Sequence, residues 1–167
     1  MTKLKYSVWI NPPQPVYGEL SKVISDLSVE YNAPVFKPHM TLLGAIDREL
    51  DDIKKAVETA AKGTEKLNLS LGPVSFSTTY FQSVFVRVNS TAQLMQLNLD
   101  IKKLLDIDNN VFMPHISLMY GNHDMKIREK IATKMKLQSS SFIADKIVII
   151  PEKSEPKEWE PMATIIL

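Results

Sequence analysis

Val35-Phe36-Lys37-Pro38-His39-Met40-Thr41-Leu42 returns further along the chain as Val111-Phe112-Met113-Pro114-His115-Ile116-Ser117-Leu118, every position displaced by 76 residues. Val, Phe, Pro, His and Leu are identical, and Thr is replaced by Ser. In an extended chain, residues two apart point to the same face. His39 and Thr41 therefore share one face, with Met40 and Leu42 on the other. The same holds for His115 and Ser117 against Ile116 and Leu118. Each copy opens a strand that a helix follows, so the repeat predicts two similar lobes, each contributing one His-x-Ser/Thr strand.

The rest of the chain fits around these strands. Residues 4–10 read as a strand closed by Asn11-Pro12-Pro13, and Val16, Leu20, Val23, Ile24, Leu27 and Tyr31 form a helical stripe. Pro34 and Pro38 bracket the entry to a strand through Leu43. A second helix is expected from about Asp47, with Leu50, Ile53, Val57 and Ala60 as its apolar face. Strands are expected at 66–77 and 80–88. A third helix starts at Ser90 with Gln93 completing a capping box, and carries Leu94, Leu97, Ile101 and Leu104. A strand at about 111–120 and a helix carrying Ile127, Ile131 and Met135 follow. Strands at 142–150 and 159–167, separated by the polar loop 151–158, close the chain. The expected fold is α+β and bilobal: two mainly antiparallel sheets lining a central cleft, helices outside, in one domain over residues 1–167 made of two intertwined lobes.

The 167 residues are 44% hydrophobic and 23% charged, with 5 Gly, 10 Pro and no Cys. This composition excludes disordered, collagen-like and coiled-coil classes. The absence of Cys excludes a disulfide framework, a thiolate zinc site and a cysteine nucleophile. No apolar run approaches the ~20 residues of a membrane helix, and the first residues do not resemble a signal peptide, so a cytoplasmic protein without membrane partners is expected. With 20 Lys+Arg against 19 Asp+Glu, the net charge of +1 offers no field for an extended nucleic acid. Only Arg48, Arg87 and Arg128 carry the guanidinium suited to bidentate phosphate and base contacts.

Two imidazoles and two hydroxyls converging on one cleft suit in-line phosphoryl chemistry without a metal. One imidazole takes a proton from water while the other gives one to the departing oxygen. The hydroxyls donate to the equatorial phosphate oxygens. Histidine suits both tasks because its ordinary pKa of about 6.5 keeps both protonation states accessible near neutrality. One His-x-Ser/Thr means little in this composition. Two inside a matching Val-Phe-x-Pro-His-x-Ser/Thr-Leu frame are a specific signal, because an apolar core does not need a His and a hydroxyl in register.

These paired motifs resemble those of the two-histidine phosphoesterase superfamily. Within it, Tyr6-Ser7-Val8-Trp9, Pro38-His39-Met40-Thr41, Phe81-Gln82-Ser83-Val84-Phe85, Pro114-His115-Ile116-Ser117-Leu118-Met119-Tyr120 and Trp159-Glu160 resemble the plant-type cyclic phosphodiesterases in order and spacing. The resemblance spans essentially the whole chain, and departs from the family in lacking every cysteine. It implies metal- and cofactor-independent opening of ADP-ribose 1″,2″-cyclic phosphate and of nucleoside 2′,3′-cyclic phosphates, the latter to 2′-phosphates, in RNA metabolism such as tRNA splicing. It carries over His39, Thr41, His115 and Ser117 as catalytic residues, and Trp9, Phe81 and Tyr120 as aromatic substrate contacts. His115 is assigned as base and His39 as acid, although pseudo-symmetry leaves the swap open.

Other candidates are weaker. His123, in Gly121-Asn122-His123-Asp124, is expected to be solvated in a turn that Asp124 caps, and no carboxylate spacing makes a metal site of the three histidines. Arg87 shares a strand face with Ser83 and Phe85 and could reach the cleft or the surface. The alternatives are a phosphodiesterase for RNA ends or 2′–5′ oligonucleotides, and a nucleotide- or RNA-end-binding module without turnover. A monomer acting on a small nucleotide-like cyclic phosphate is the expected form.

Overall fold

The computed structural model describes residues 4–108 and 111–167. Its elements are β1 (Tyr6–Ile10), α1 (Val16–Tyr31), β2 (Met40–Ile46), α2 (Leu50–Ala61), β3 (Leu67–Phe76), β4 (Val84–Val88), α3 (Ala92–Leu104), β5 (His115–Met119), α4 (Met125–Lys134), β6 (Ser141–Ala144), β7 (Lys146–Pro151) and β8 (Ala163–Ile166). The α+β expectation holds. The two sheets are joined into one curled antiparallel order, β6-β3-β4-β5-β2-β1-β7-β8. The seam is the pairing of the two repeat strands, where Met40 meets Ile116.

Across that seam the repeat units take equivalent places, β1 beside β2 and β4 beside β5. The first helix of each unit packs on the seam strand of the other, α1 on β5 and α3 on β2. Alternation explains why: Met40, Leu42, Ile116 and Leu118 turn toward the helices and join Leu20, Leu27, Ile53, Leu94, Leu97 and Ile101 in one buried cluster. The opposite, concave face is left for the His and hydroxyl side chains. No described helix is long and apolar enough to cross a membrane.

Several boundaries differ from the sequence reading. The α2 helix begins at Leu50 rather than Asp47, after an extended Glu49. Thr91, not Ser90, caps α3 by accepting from the Leu94 amide, and Gln93 turns away to the Glu65 carbonyl, so no capping box forms. The expected strand 80–88 begins only at Val84. Residues 80–83 form a turn whose Gln82 carbonyl accepts from the Ser77 hydroxyl. The expected strand 142–150 breaks at Asp145 into β6 and β7, which pair with β3 and β1 in different halves of the sheet. Alternation alone does not reveal such a break, because both pieces bury apolar residues. At the end of the chain, residues 156–158 form a short 3-10 turn before β8.

Candidate active site

His39 sits at the entry to β2 and His115 at the first position of β5. Each ring is fixed in the same way: Nδ1 lies 2.7 Å from the carbonyl oxygen two residues back, Lys37 in one case and Met113 in the other. A carbonyl only accepts, so Nδ1 carries hydrogen in both rings and the neutral Nε2 keeps its lone pair. The antiparallel seam sets His39 beside Ser117 and Thr41 beside His115. All four line one cavity of about 580 Å³. The structure therefore brings together the four residues singled out by the repeat.

The two histidines are not equivalent. Trp9, opposite Thr41 on β1, lies flat on His39 with centroids 3.5 Å apart and planes at 10°. Phe85, opposite Ser117 on β4, meets His115 at 5.3 Å and 68°. Burial drives the His39 pKa down to about 4. The Lys37 carbonyl opposes this and the charge of His115 adds to it. His115 is also held below its ordinary value, by burial first and by the positive charge of Arg87, its cross-strand partner, against the pull of the Met113 carbonyl. Arg87 thus lies beside the site, at the one exposed position of β4.

The hydroxyls differ too. Ser117 Oγ donates to the Phe81 carbonyl at 2.6 Å, whereas Thr41 Oγ1 has no partner among the described residues. Phe81 is 58% exposed on the turn before β4, so it sits at the rim rather than in a strand. Tyr120 is buried at 3% exposure, stacked on Phe36 at 3.7 Å and 11° and meeting Phe81 edge-on at 5.1 Å. Burial raises its phenol pKa, and Tyr80 adds to the effect. Trp9, Phe81 and Tyr120 all line the cavity, but one Trp9 face is already covered by His39.

Sequence reasoning missed three supports. Ser7-Val8-Trp9-Ile10 and Ser83-Val84-Phe85-Val86 also stand 76 residues apart, so extending the repeat one strand upstream marks Phe85 as the counterpart of Trp9. Trp159 lines the cavity and meets Trp9 edge-on at 5.6 Å, its indole N–H donating to the Lys153 carbonyl at 2.8 Å. Beneath the Phe81 turn, Arg128 is 2% exposed and bonds four carbonyls, those of Ser77, Thr79, Gly121 and His123.

His123 is not the solvated residue expected. Its Nε2 bonds the Tyr31 carbonyl at 3.0 Å and its Nδ1 is buried without a partner. Asp124 stands at the N-cap of α4 without a side-chain cap bond. Among the described residues, no three His, Asp or Glu side chains are grouped to hold a metal.

Two imidazoles, two hydroxyls and a rim of aromatic rings are an arrangement able to exchange protons with, and hydrogen-bond, a phosphate of nucleotide size. An Arabidopsis thaliana protein named cyclic phosphodiesterase is 27% identical over 96% of this chain and 92% of its own length. A Yarrowia lipolytica protein named 2′,3′-cyclic-nucleotide 3′-phosphodiesterase is 25% identical over 81% of this chain and 66% of its own. Two solved structures share the fold at 14–15% identity: a Thermus thermophilus protein (TM-score 0.69, covering 98% of this chain and 97% of that one) and Escherichia coli LigT complexed with ATP (TM-score 0.63, 98% of both). The family described as cyclic phosphodiesterase-like protein matches residues 4–167, and the chain belongs to it.

Proposed function

We propose that this protein is a metal-independent cyclic phosphodiesterase, opening nucleoside 2′,3′-cyclic phosphates to 2′-phosphates and ADP-ribose 1″,2″-cyclic phosphate. The observation that carries the reading is the seam between β2 and β5, which sets two Nδ1-anchored imidazoles and two hydroxyls into one cavity. The names of the plant and yeast relatives support it.

In the proposed reaction, His115 takes a proton from water as the water oxygen bonds to phosphorus. The P–O3′ bond breaks, and His39 gives its proton to O3′. Water is added overall, and solvent resets the two rings. Thr41 donates to a phosphate oxygen, as does Ser117 once its hydrogen turns from Phe81. His115 is the more exposed ring, the one water reaches. His39 is the more buried, so the substrate's negative charge acts on it with little screening and favours its protonated form. The protein acts as a single-domain cytosolic monomer, and its substrates are small, since a net charge of +1 offers no field for an extended nucleic acid.

The test is incubation with uridine 2′,3′-cyclic phosphate, ADP-ribose cyclic phosphate and 2′–5′ oligoadenylate, with products read by phosphorus NMR. Formation of 2′-phosphate from the first, with none from the oligoadenylate, is expected. Binding without turnover of any of them would make it a nucleotide-binding module instead. A diester with a nitrophenyl leaving group assigns the roles. It needs no acid, so His39→Ala should lose far less rate on it than His115→Ala does.

A further inference from the structure

The cavity has two unlike ends. Along the seam, Tyr120, Phe36 and Phe81 lie beyond the His39–Ser117 row, while Gly44 and Ala45 lie beyond the Thr41–His115 row. At this second end the β1–β2 pairing shifts: Tyr6 faces Ile46 and Val8 faces Leu43, so Ser7 alone opposes both Gly44 and Ala45. Ala45 is held at φ 54°, a left-handed conformation that a non-glycine residue keeps only where surrounding structure enforces it. What enforces it is Glu152. Its Oε1 accepts from the Ala45 amide at 2.7 Å and from the Ser7 hydroxyl at 2.5 Å, while its own amide donates to the Lys5 carbonyl at 2.8 Å.

A Cβ on Gly44 would stand 3.3 Å from Ser7 Oγ, 3.5 Å from Thr41 Cγ2 and 3.7 Å from Glu152 Oε1. Glycine therefore leaves an open step between the Thr41 side chain and this carboxylate, all of it lining the cavity. Glu152 Oε2 is bonded to no described side chain. A carboxylate fixed beside a phosphate site cannot serve the phosphate, and the partner it suits is a neutral hydrogen-bond donor. A uridine 2′,3′-cyclic phosphate carries two donors only, the base N–H and the 5′-hydroxyl. With the base at the aromatic end, the 5′-hydroxyl is the donor left for Glu152.

We infer that Glu152, braced by Ser7 and the strained Ala45 amide, is a specificity residue that accepts a hydrogen bond from the 5′-hydroxyl of a nucleoside cyclic phosphate. The inference rests on the proposed cyclic phosphodiesterase reading and adds which end of the substrate is read. ADP-ribose 1″,2″-cyclic phosphate, whose 5″-oxygen carries a diphosphate, has no such donor, so the inference concerns the nucleoside substrates alone. Lys102 and Lys153 line the same cavity, and for those substrates an anionic 5′-extension held by the lysines is the competing arrangement.

The experiment compares uridine 2′,3′-cyclic phosphate with its 5′-deoxy and 5′-phosphorylated counterparts, on the parent, Glu152→Gln and Glu152→Ala, with thermal unfolding of each protein. The Gln variant retains an oxygen for Ser7 and Ala45 while replacing the outer acceptor by an amide donor, so the wall stays built. The parent should favour the 5′-hydroxyl over the 5′-deoxy substrate at least tenfold in kcat/KM, and both variants should lose most of that preference. A parent indifferent to the 5′-hydroxyl, variants that keep the preference, or faster turnover of the 5′-phosphorylated substrate would each overturn the inference. Calorimetric binding of uridine 2′-phosphate and its 5′-deoxy form separates the two failures. Discrimination in binding without any turnover sinks the enzymatic reading alone, and turnover without discrimination sinks the role of Glu152 alone.

Discussion

The Trp9 indole lies parallel on the His39 imidazole at 3.5 Å, part of the burial that leaves His39 only 8% exposed and lowers its pKa. With a folded pKa of about 4 against 6.5 unfolded, His39 binds fewer protons when folded across that interval. Stability attributable to it is intact above pH 6.5 and is lost as pH falls toward 4, by roughly 3 kcal/mol. The melting temperature should therefore drop more steeply from pH 7 to 4.5 in the parent than in His39→Asn. Trp9→Leu should move the His39 titration, followed by NMR, back toward 6.5.

Activity should show a bell in pH whose position depends on the parameter. In the empty cleft both imidazoles are held below 6.5, so protonated acid becomes scarce above that range. The kcat/KM profile should peak on the acid side of neutrality, its limbs belonging to the coupled pair. Bound phosphate favours the imidazolium, so the basic limb of kcat should lie at higher pH than that of kcat/KM. A flat profile from pH 5 to 9 would remove the acid–base pair.

Thr41 and Ser117 should separate on substitution. Thr41→Ala removes a hydroxyl with no described protein partner, so it should lower kcat by about 10²–10³ and leave stability within ~0.5 kcal/mol. Ser117→Ala also breaks the 2.6 Å bond to the Phe81 carbonyl, which should cost a further ~1 kcal/mol of stability. Chemical denaturation alongside steady-state rates reads both. Equal effects of the two substitutions on stability would contradict the asymmetry.

Excess EDTA should leave turnover unchanged, because in the proposed reaction the two imidazoles complete both proton transfers themselves. Loss of rate restored by a divalent ion is the outcome that would replace the mechanism.

Arg128→Met should be among the most destabilising single changes, by about 3–5 kcal/mol, since it strips donors from four carbonyls around the Phe81 turn and Gly121. Arg128→Lys should recover part of that loss. A denaturation midpoint near that of the parent for Arg128→Met would show the turn to be held by its other bonds.

The repeat was legible because strand periodicity is local. Alternation at His39-Met40-Thr41 and His115-Ile116-Ser117 separates a functional face from a core face with no knowledge of the partner strands, and the apolar stripes of α1 and α3 follow from the same logic. What local pattern cannot encode is which strands meet. The seam at Met40–Ile116, the separation of β6 from β7 into different halves, and the shift that sets Ala45 at Glu152 join residues distant in sequence. The unequal environments of the two histidines belong to that second class. Their flanking octapeptides share five of eight residues, yet Trp9 and Trp159 bury one ring while Phe85 and Arg87 attend the other. Sequence determined that each repeat sets one imidazole and one hydroxyl on the strand face away from its core, and the β2–β5 seam brought the two pairs into one cavity. Only the tertiary packing made them unequal, because desolvation and neighbouring charge depend on what the fold lays against each ring.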